Sequence, residues 1–483
     1  MAELSSYQDL VHAAFIKPLR SVMIIDDDYP TWEEIFDRGN WTEAEDGTLG
    51  VPKTPKSWVK TPDLPKNLIS RFRKHDKGLL IDIDDGKPPA PSTTEIANHL
   101  YQSDILGLDY QIEGEGIGGD RAIGIAASLL TQGHFNLIVV HTNKEDLDDP
   151  FSQILMRLLT PCEEDDRAKT KIERAKNALE ELEDEGEAEG AEALTETLKG
   201  LFRSKHYLLM RHPSGDATKK LMRGEAPFTE IKNAMEMAGL EARYRDSVLA
   251  WLCFDFQKRY AHFSDVAHSL QWSLNDNCLW IRSERGFITF ANKKNTTDLI
   301  EALQTALEDW QPTPSRLLSS VYRHALSDYG VSVEDSTLAN KHIFARFYDD
   351  ILNAENEPQQ QTLLRQHIRQ QTEQIGAAVE DDVAKFGLDI VRLDSPEAPF
   401  SAHYNVDLSN ADQAKKATFE FNNYVSSIDV HGHHLTSGHI FELDGKKWVV
   451  VSPACDLVPG QKRMGFHNPN SKHRPFIAVE LHP

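Results

Sequence analysis

The stretch Ile105-Leu106-Gly107-Leu108-Asp109-Tyr110 is a short apolar run that ends on a single carboxylate. A run of this length fits a buried strand of a parallel sheet, and the residue that follows it lies at the carboxyl edge of the sheet. In open α/β sheets, ligands bind at that edge. Asp109 is therefore the first candidate functional residue.

Three other apolar runs end on polar residues in the same way. Val22–Ile25 precedes Asp26, Asp27 and Asp28, Leu137–Val140 precedes His141 and Thr142, and Phe287–Ala291 precedes Asn292, Lys293 and Lys294. If all four runs are parallel strands, they bring an acidic pair, a lone aspartate, a hydroxyl and an ammonium to one rim.

These residue types together suit the transfer of a phosphoryl group to Asp109. Mg²⁺ typically takes one or two carboxylates plus waters and phosphate oxygens, and Asp26 and Asp27 supply carboxylates. Lys293 can pair with the acyl phosphate as a point charge, and Thr142 can donate its hydroxyl to it. Each residue alone has an ordinary use as a cap, a turn residue or a solvated side chain. Their joint occurrence at four strand ends predicts a site.

The order Asp-Asp, Asp, Thr, Lys on successive strands resembles a receiver domain of two-component signalling. More narrowly, Ile24–Pro30, Leu108–Gln111 and Phe287–Lys294 resemble a divergent receiver family found in bacterial phage-defence operons of the Detocs type. The resemblance covers about residues 20–310. It implies a flavodoxin-like parallel sheet of order 2-1-3-4-5, dependence on Mg²⁺ and phosphotransfer from a cognate histidine kinase.

The resemblance also implies individual roles. Asp109 is the phosphoacceptor, Thr142 and Lys293 are switch residues, and Asp26, Asp27, Asp109 and the backbone carbonyl of Gln111 are metal ligands. Phe290 falls where receivers carry an aromatic rotamer switch, and that register favours Lys293 over Lys294. The proline that commonly follows the lysine is absent, since Lys294 takes its place.

The interval from Thr142 to Lys293 is far too long for one strand–helix–strand unit, so we expect a large insertion on the face that receivers use for output. No basic helix-turn-helix follows it. The predicted architecture is α/β: a discontinuous five-stranded receiver (1–145 and 281–311), a helical insertion (146–280), a helical connector (312–398) and a small all-β domain (399–483) that distantly resembles SH3-like barrels.

Local patterns give further expectations. The composition of residues 40–66 predicts an irregular loop, and the pattern of Leu68–Lys74 predicts a short helix. Residues 163–200 are expected to form a long charged helix or a helical pair. A helix is expected from Thr93 or Thr94 to about Gln102. The strands predicted for the C-terminal domain are Ala417–Phe421, His439–Leu443, Lys447–Val451 and Phe476–Glu480.

Bulk properties exclude several classes. The 483 residues carry 52 basic and 76 acidic side chains, a net charge of −24, so binding to nucleic acid through bulk charge is not expected. The four cysteines form no CxxC pair, which argues against a disulfide framework or a zinc site. No signal peptide or long apolar run is present, so we expect a cytoplasmic protein that does not engage a membrane.

Three motifs offer alternatives. Gly114–Gly119 satisfies GxGxxG but does not follow the first strand, so it predicts a loop and no cofactor site. Asp82-Ile83-Asp84 resembles the nucleophile and acid/base of haloacid-dehalogenase phosphatases, which makes an Asp-based phosphatase the second hypothesis. Cys455 with His431, His433, His434 and His439 invites a thiol or metal site, although the spacing fits no known zinc pattern.

The leading hypothesis is a phosphoacceptor protein that is not an enzyme. It would act as a phosphate sink or relay, or as an adaptor, in a bacterial anti-phage signalling system. The expected partners are a histidine kinase and an effector protein of the same operon.

Overall fold

The computed structural model describes most of the chain, in two units that comprise residues 1–321 and 322–483. The described residues are 6–37, 39, 41–43, 49–53, 56–75, 78–86, 103–112, 119–131, 135–185, 189–213, 216–260, 263–264, 269–294, 298–338, 341–395, 400–426, 435–453, 457 and 476–482. Within them, no helix combines the length and the apolar composition that a membrane crossing requires.

Within the described part of the chain, twelve strands form three sheets. In chain order they are β1 (Ser21–Ile25), β2 (Trp41–Glu43), β3 (Leu49–Pro52), β4 (Leu80–Asp84), β5 (Ile105–Asp109), β6 (Asn136–Thr142), β7 (Gln271–Trp272), β8 (Trp280–Arg282), β9 (Gly286–Asn292), β10 (Ile440–Leu443), β11 (Lys446–Val450) and β12 (Ala478–Leu481).

The first unit is organised around a seven-stranded sheet of order β4-β1-β5-β6-β9-β8-β7. The strands from β4 to β9 pair in parallel. Counted among themselves, these five have the order 2-1-3-4-5, which is the order that the resemblance implied. The prediction of a mixed α/β fold with a mainly parallel central sheet is therefore confirmed.

The expectation of only five strands is wrong, because β8 and β7 extend the sheet antiparallel beyond β9. β7 lies within the segment that was predicted to be the helical insertion (146–280), and β8 begins at the last residue of that segment. The two strands have only two and three residues, too few to show an alternating pattern. Trp272, Trp280 and Ile281 are nevertheless buried and make the edge of the sheet part of the core.

β5 lies in the middle of the parallel part, and all five of its residues are buried. Gly107 allows this close packing. A Cβ atom at Gly107 would lie 2.6 Å from Cδ1 of Ile24 and 3.1 Å from Cδ1 of Leu299. The neighbouring strand and the helix therefore press directly on the β5 backbone, which fixes the position of Asp109 at its end.

Helices cover the sheet and form the insertion. Those of the first unit are Tyr7–Val11, the π-helical His12–Ile16, Trp32–Phe36, Asp63–Lys74, Asp120–Thr131, Asp148–Leu158, Asp166–Glu185, Glu189–Leu201, Ser204–Arg211, Ala217–Arg223, Thr229–Met237, Ala242–Arg259, Leu299–Trp310 and Pro314–Leu338, the last continuing beyond residue 321. The 163–200 segment is the helical pair that the sequence predicted. It is not wholly solvated, because Ala175, Leu179 and Leu198 are buried in a core cluster that also includes residues of the sheet.

The segment after β1 differs from its prediction. Residues 40–66 were expected to be irregular, but β2 and β3 pair antiparallel within them. The next helix begins at Asp63, not at Leu68, and Pro62 precedes it. The helix predicted from Thr93 or Thr94 to about Gln102 lies outside the described residues.

The second unit contains the helices Lys341–Leu352, Glu357–Leu393 and Ala411–Ser426, and a three-stranded antiparallel sheet of order β10-β11-β12. This sheet supports only part of the predicted all-β domain, and the resemblance to a barrel stays a prediction. The predicted strand Ala417–Phe421 is wrong, because these residues belong to the Ala411–Ser426 helix. Its alternating pattern is short, and the Asn410 side chain accepts from the Asp412 and Gln413 N–H groups to begin a helix.

Candidate functional site

Strand register brings three predicted residues together at the carboxyl edge of the sheet. Asp26 follows β1, Asp109 ends β5 and Lys293 follows β9. The Lys293 ammonium lies 2.7 Å from Oδ2 of Asp26 and 3.0 Å from Oδ2 of Asp109. Its side chain is only 13% exposed and those of the two aspartates 3% and 7%, so one buried cation is shared by two buried carboxylates.

The two adjacent lysines lie in different surroundings. The Lys293 backbone N–H donates to the Thr142 carbonyl at 2.8 Å, which continues the β6–β9 ladder and directs the Lys293 side chain to the carboxylates. The Lys294 ammonium instead pairs with Glu145 at 3.1 Å, and both of these side chains are mostly exposed. The structure thus places Lys293, and not Lys294, in the acidic cluster.

A third carboxylate completes the cluster. One oxygen each of Asp26, Asp27 and Asp109 lies within 4.8 Å of the others, an arrangement that could hold a metal ion. Asp26 and Asp109 are buried, whereas Asp27 is half-buried and Asp28 exposed. Carboxylate oxygens are the hard ligands that Mg²⁺ prefers, so these three residues fit that ion and are the ones that would hold it.

The crowding of negative charge perturbs the acids. Burial, and then the charges of Asp109, Asp26 and Asp28, raise the pKa of Asp27 to about 6. Burial also raises the pKa of Asp109, although the Lys293 ammonium opposes the shift. Burial works against the charged form of Lys293, but the two carboxylates outweigh it and raise its pKa.

Backbone N–H groups orient both buried carboxylates. Oδ1 of Asp109 accepts from the Gln111 N–H at 3.3 Å, and Oδ1 of Asp26 accepts from the Asp28 N–H at 3.0 Å. In each aspartate the other oxygen, Oδ2, faces Lys293. Gln111 therefore lies beside the cluster, and the role of its carbonyl as a metal ligand stays a prediction.

Thr142 ends β6 and is fully buried. Its hydroxyl oxygen accepts from the Lys144 N–H at 3.2 Å. Phe290 lies on β9 opposite Val140 of β6, two residues before Thr142. It is 7% exposed and packs edge-on against Phe151, with ring centroids 5.5 Å apart. Thr142 and Phe290 thus adjoin the loop and the helix that follow β6.

Sequence reasoning assigned no role to Asn292 or Lys56. The Asn292 side chain donates to the Lys144 carbonyl at 2.6 Å and accepts from the Lys294 N–H at 2.8 Å, which joins the loops after β6 and β9. Lys56 donates to the Tyr29 carbonyl and pairs with Glu34 and Asp85, which joins its own segment to the loop and the helix after β1 and to the loop after β4. Asn292 stands directly before Lys293 in the sequence. Most partners of Asn292 and Lys56 are distant in the sequence, so a local pattern could not predict these contacts.

Asp82 and Asp84, the residues of the phosphatase hypothesis, are not part of this cluster, although Asp84 ends β4 beside it and its carbonyl accepts from the Asp26 N–H at 3.0 Å. Asp82 is exposed on the edge strand β4, where its carboxylate accepts from the Ile83 N–H, and the Asp84 carboxylate accepts from the Gly86 N–H as in an ordinary turn. Among the described residues, the metal-compatible cluster does not include Asp82 or Asp84. Residues 114–118 of the glycine motif, His431, His433, His434 and Cys455 lie outside the described residues, whereas His439 accepts from the Thr436 N–H.

Comparison with known proteins agrees with this geometry. The family model described as the response receiver domain matches residues 18–189. That segment contains Asp26, Asp27, Asp109 and Thr142, and it ends within the insertion, before Lys293. No curated protein and no solved structure matches the chain. The match and the parallel sheet together support a response-regulator receiver domain in this chain, a class of domain that typically binds Mg²⁺ at an acidic site and takes its phosphoryl group from a histidine kinase.

Proposed function

We propose that this chain is a two-component response receiver that accepts a phosphoryl group on Asp109 from a histidine kinase. The observation that carries the proposal is the Lys293 ammonium, held between Asp26 and Asp109 at 2.7 and 3.0 Å at the carboxyl edge of the parallel sheet. Ion pairs with only a structural role are common on protein surfaces. A cluster that buries two carboxylates and a cation beside a third carboxylate costs folding free energy, and such clusters are found mainly at functional sites.

The chemistry follows from what each group can do. A carboxylate oxygen of Asp109 forms a bond to phosphorus while the bond between phosphorus and the donor histidine nitrogen breaks. A Mg²⁺ ion held by Asp26, Asp27 and Asp109 would neutralise the phosphoryl oxygens. Lys293 supplies a further positive charge within reach of Asp109. The Thr142 hydroxyl, at the end of the next strand, is the proposed donor to a phosphoryl oxygen.

The proposal is tested by determining which aspartate carries the phosphoryl adduct. The full-length chain is incubated with Mg²⁺ and acetyl phosphate, and intact mass is measured for the wild type, Asp109→Asn and Asp82→Asn. We expect the adduct in the wild type and in Asp82→Asn and its loss in Asp109→Asn. An adduct that persists in Asp109→Asn and disappears in Asp82→Asn would replace this proposal with the phosphatase-like use of Asp82.

The cellular role that we propose is anti-phage signalling. It rests on the resemblance of Ile24–Pro30, Leu108–Gln111 and Phe287–Lys294 to receivers of Detocs-type operons. Within such a system the chain would be a phosphate sink, relay or adaptor and not an enzyme, with a kinase and an effector of the same operon as partners. Asp109→Asn in cells that carry the whole operon should abolish regulation, whereas Cys455→Ala should leave it unchanged.

A further inference from the structure

A cavity of about 200 Å³ lies in the first unit, and none of the residues of the acidic cluster lines it. Its walls come from the helices Asp148–Leu158 and Ser204–Arg211, from the Ala217–Arg223 helix and from the strand β7 with the turn after it. The cavity therefore lies where the insertion meets the antiparallel edge of the sheet.

Most of the wall is apolar. Phe151, Leu208, Leu209, Trp272 and Leu279 line it, and each of these side chains is at most 6% exposed. A dry cavity of about 150 Å³ is enough to hold benzene. This one is therefore large enough for a ring or a short alkyl chain.

The polar groups of the wall indicate the charge of the occupant. Lys205 is already paired, with Asp148 at 2.9 Å and with Asp276 at 3.1 Å. Lys220 also lines the cavity and is half-buried, and among the described residues it forms no ion pair. The four charges of the wall sum to zero, but both aspartates are bonded to Lys205, so Lys220 is the lining charge that forms no ion pair among the described residues and can accept an added carboxylate. A few placed polar groups on an apolar wall are typical of sites for small ligands.

One residue of the cavity wall also contacts the receiver site. Phe151 forms part of its wall and packs edge-on against Phe290, three residues before Lys293. On the same helix, Asp149 pairs with Lys144, whose N–H donates to the Thr142 hydroxyl oxygen. A molecule that fills the cavity would restrain Phe151 and, through it, strand β9.

We propose that this cavity binds a small organic monoanion, a carboxylate with an apolar body, whose carboxylate pairs with Lys220 and whose body packs on Phe151 and Trp272. Occupancy would then be coupled to the receiver site through the Phe151–Phe290 contact. Such coupling is reciprocal, since a ligand that stabilises one arrangement of β9 is itself bound more tightly by that arrangement.

The binding test uses the full-length chain with benzoate and hexanoate, and with the neutral benzamide and hexanamide, in saturation-transfer NMR and calorimetry. We expect the carboxylates to bind at least tenfold more tightly than the amides. Lys220→Met should weaken carboxylate binding at least tenfold. Lys219→Met is the matched control, because Lys219 is the adjacent residue but is 71% exposed and pairs with Asp216, and it should bind like the wild type.

A second variant, Ser152→Leu, keeps the test valid if Lys220→Met does not fold. Ser152 lines the cavity, so Ser152→Leu should fill it and block carboxylates and amides alike, while circular dichroism stays that of the wild type. The proposal is overturned if neither carboxylate binds at concentrations up to about 10 mM, if the two lysine variants bind equally, or if a folded Ser152→Leu variant still binds.

Coupling is measured separately from phosphorylation. Benzoate should slow hydrogen exchange in Gly286–Asn292 of the wild type and leave it unchanged in Lys220→Met. Benzoate binding without any change in Gly286–Asn292 would refute the coupling. Because neither measurement involves a phosphodonor, failure here is distinguishable from failure of the phosphoacceptor assignment.

Discussion

Replacement of Lys293 by methionine tests how the acidic cluster is held together. The variant keeps the length of the side chain but leaves Asp26 and Asp109, 3% and 7% exposed, without their shared cation. Breaking a buried ion pair by removal of one partner costs about 3–5 kcal/mol. Since a stranded carboxylate can take up a proton, we expect the lower end of this range, about 3 kcal/mol at pH 7.5.

Lys294→Met is the matched control. It removes the same charge one residue further on, but from a pair with Glu145 in which the side chains are 60% and 85% exposed. Exposed pairs contribute about 0–1 kcal/mol. The difference between the two variants therefore isolates the buried, shared position of Lys293 from any general effect of net charge.

The pH dependence has a definite sign. In the wild type, the raised pKa of Lys293 keeps its ammonium charged through neutral pH. Without that cation, the pKa of Asp109, which burial already raises to about 6, rises further above the unfolded value, so the folded state binds more protons than the unfolded state from about pH 4 to above pH 6. The stability of Lys293→Met should then fall as the pH rises, and its deficit should shrink towards pH 5. Mg²⁺ should restore part of the loss at pH 7.5.

The assay is native-state hydrogen exchange of the full-length chain, followed by mass spectrometry of peptides from β5 and β6 and corrected for intrinsic exchange rates. Local opening free energies are then compared for the wild type and the two lysine variants at pH 5.5, 6.5 and 7.5. Equal losses in Lys293→Met and Lys294→Met, or a deficit that grows towards low pH, would refute the shared-charge account.

Three further outcomes are expected. Because burial and the neighbouring carboxylates raise the pKa of Asp27 to about 6, protons should compete with Mg²⁺ there, so calorimetric Mg²⁺ affinity should fall as the pH is lowered from 7.5 to 5.5, and Asp27→Asn should weaken this dependence and leave the part that the raised pKa of Asp109 contributes. Without metal, Asp27→Asn should stabilise the fold by about 1–2 kcal/mol at pH 8, after allowance for solvent screening, and by nothing at pH 4, as monitored by urea unfolding. Asn292→Ala should cost about 1–2 kcal/mol and speed exchange in residues 142–145, because two hydrogen bonds between the loops are lost, whereas unchanged exchange would show that Asn292 is dispensable.

Much of the central sheet could be predicted from the sequence because buried parallel strands are unbroken apolar runs. β5, β6 and β9 consist almost wholly of buried residues, and each run ended where a polar rim residue began. Their order in the sheet could not be derived from periodicity and came from the resemblance to receivers. The choice of Lys293 over Lys294 likewise rested on the spacing from Phe290, and the geometry agrees with it.

What the sequence did not reveal depends on long-range packing. β7 and β8 are too short to leave a pattern, and they exist because Trp272 and Trp280 are buried against the rest of the fold. The Ala411–Ser426 helix has Phe419 and Phe421 two residues apart, which imitates a strand, while its described residues are not buried and supply no helical pattern of core positions. The network around Lys56 joins residues that are far apart in the sequence, Tyr29 and Glu34 after β1 and Asp85 after β4, and no local sequence pattern predicts such contacts.

The charge of the cluster explains why its geometry suits both a metal and a phosphoryl group. With all acids ionised, Asp26, Asp27 and Asp109 carry three negative charges and Lys293 returns one, so two negative charges remain in a site that is mostly buried. A divalent cation would neutralise that excess, and in its absence the molecule relies on the raised pKa of Asp27 and Asp109 to limit it. A phosphoryl group on Asp109 would again add negative charge. If the Lys293 ammonium paired with the phosphoryl oxygens, its ion pair with Asp26 would weaken. Since the backbone of Lys293 is bonded to the Thr142 carbonyl, a shift of its side chain would act on the same strand ends that hold Phe290 and the loop after β6.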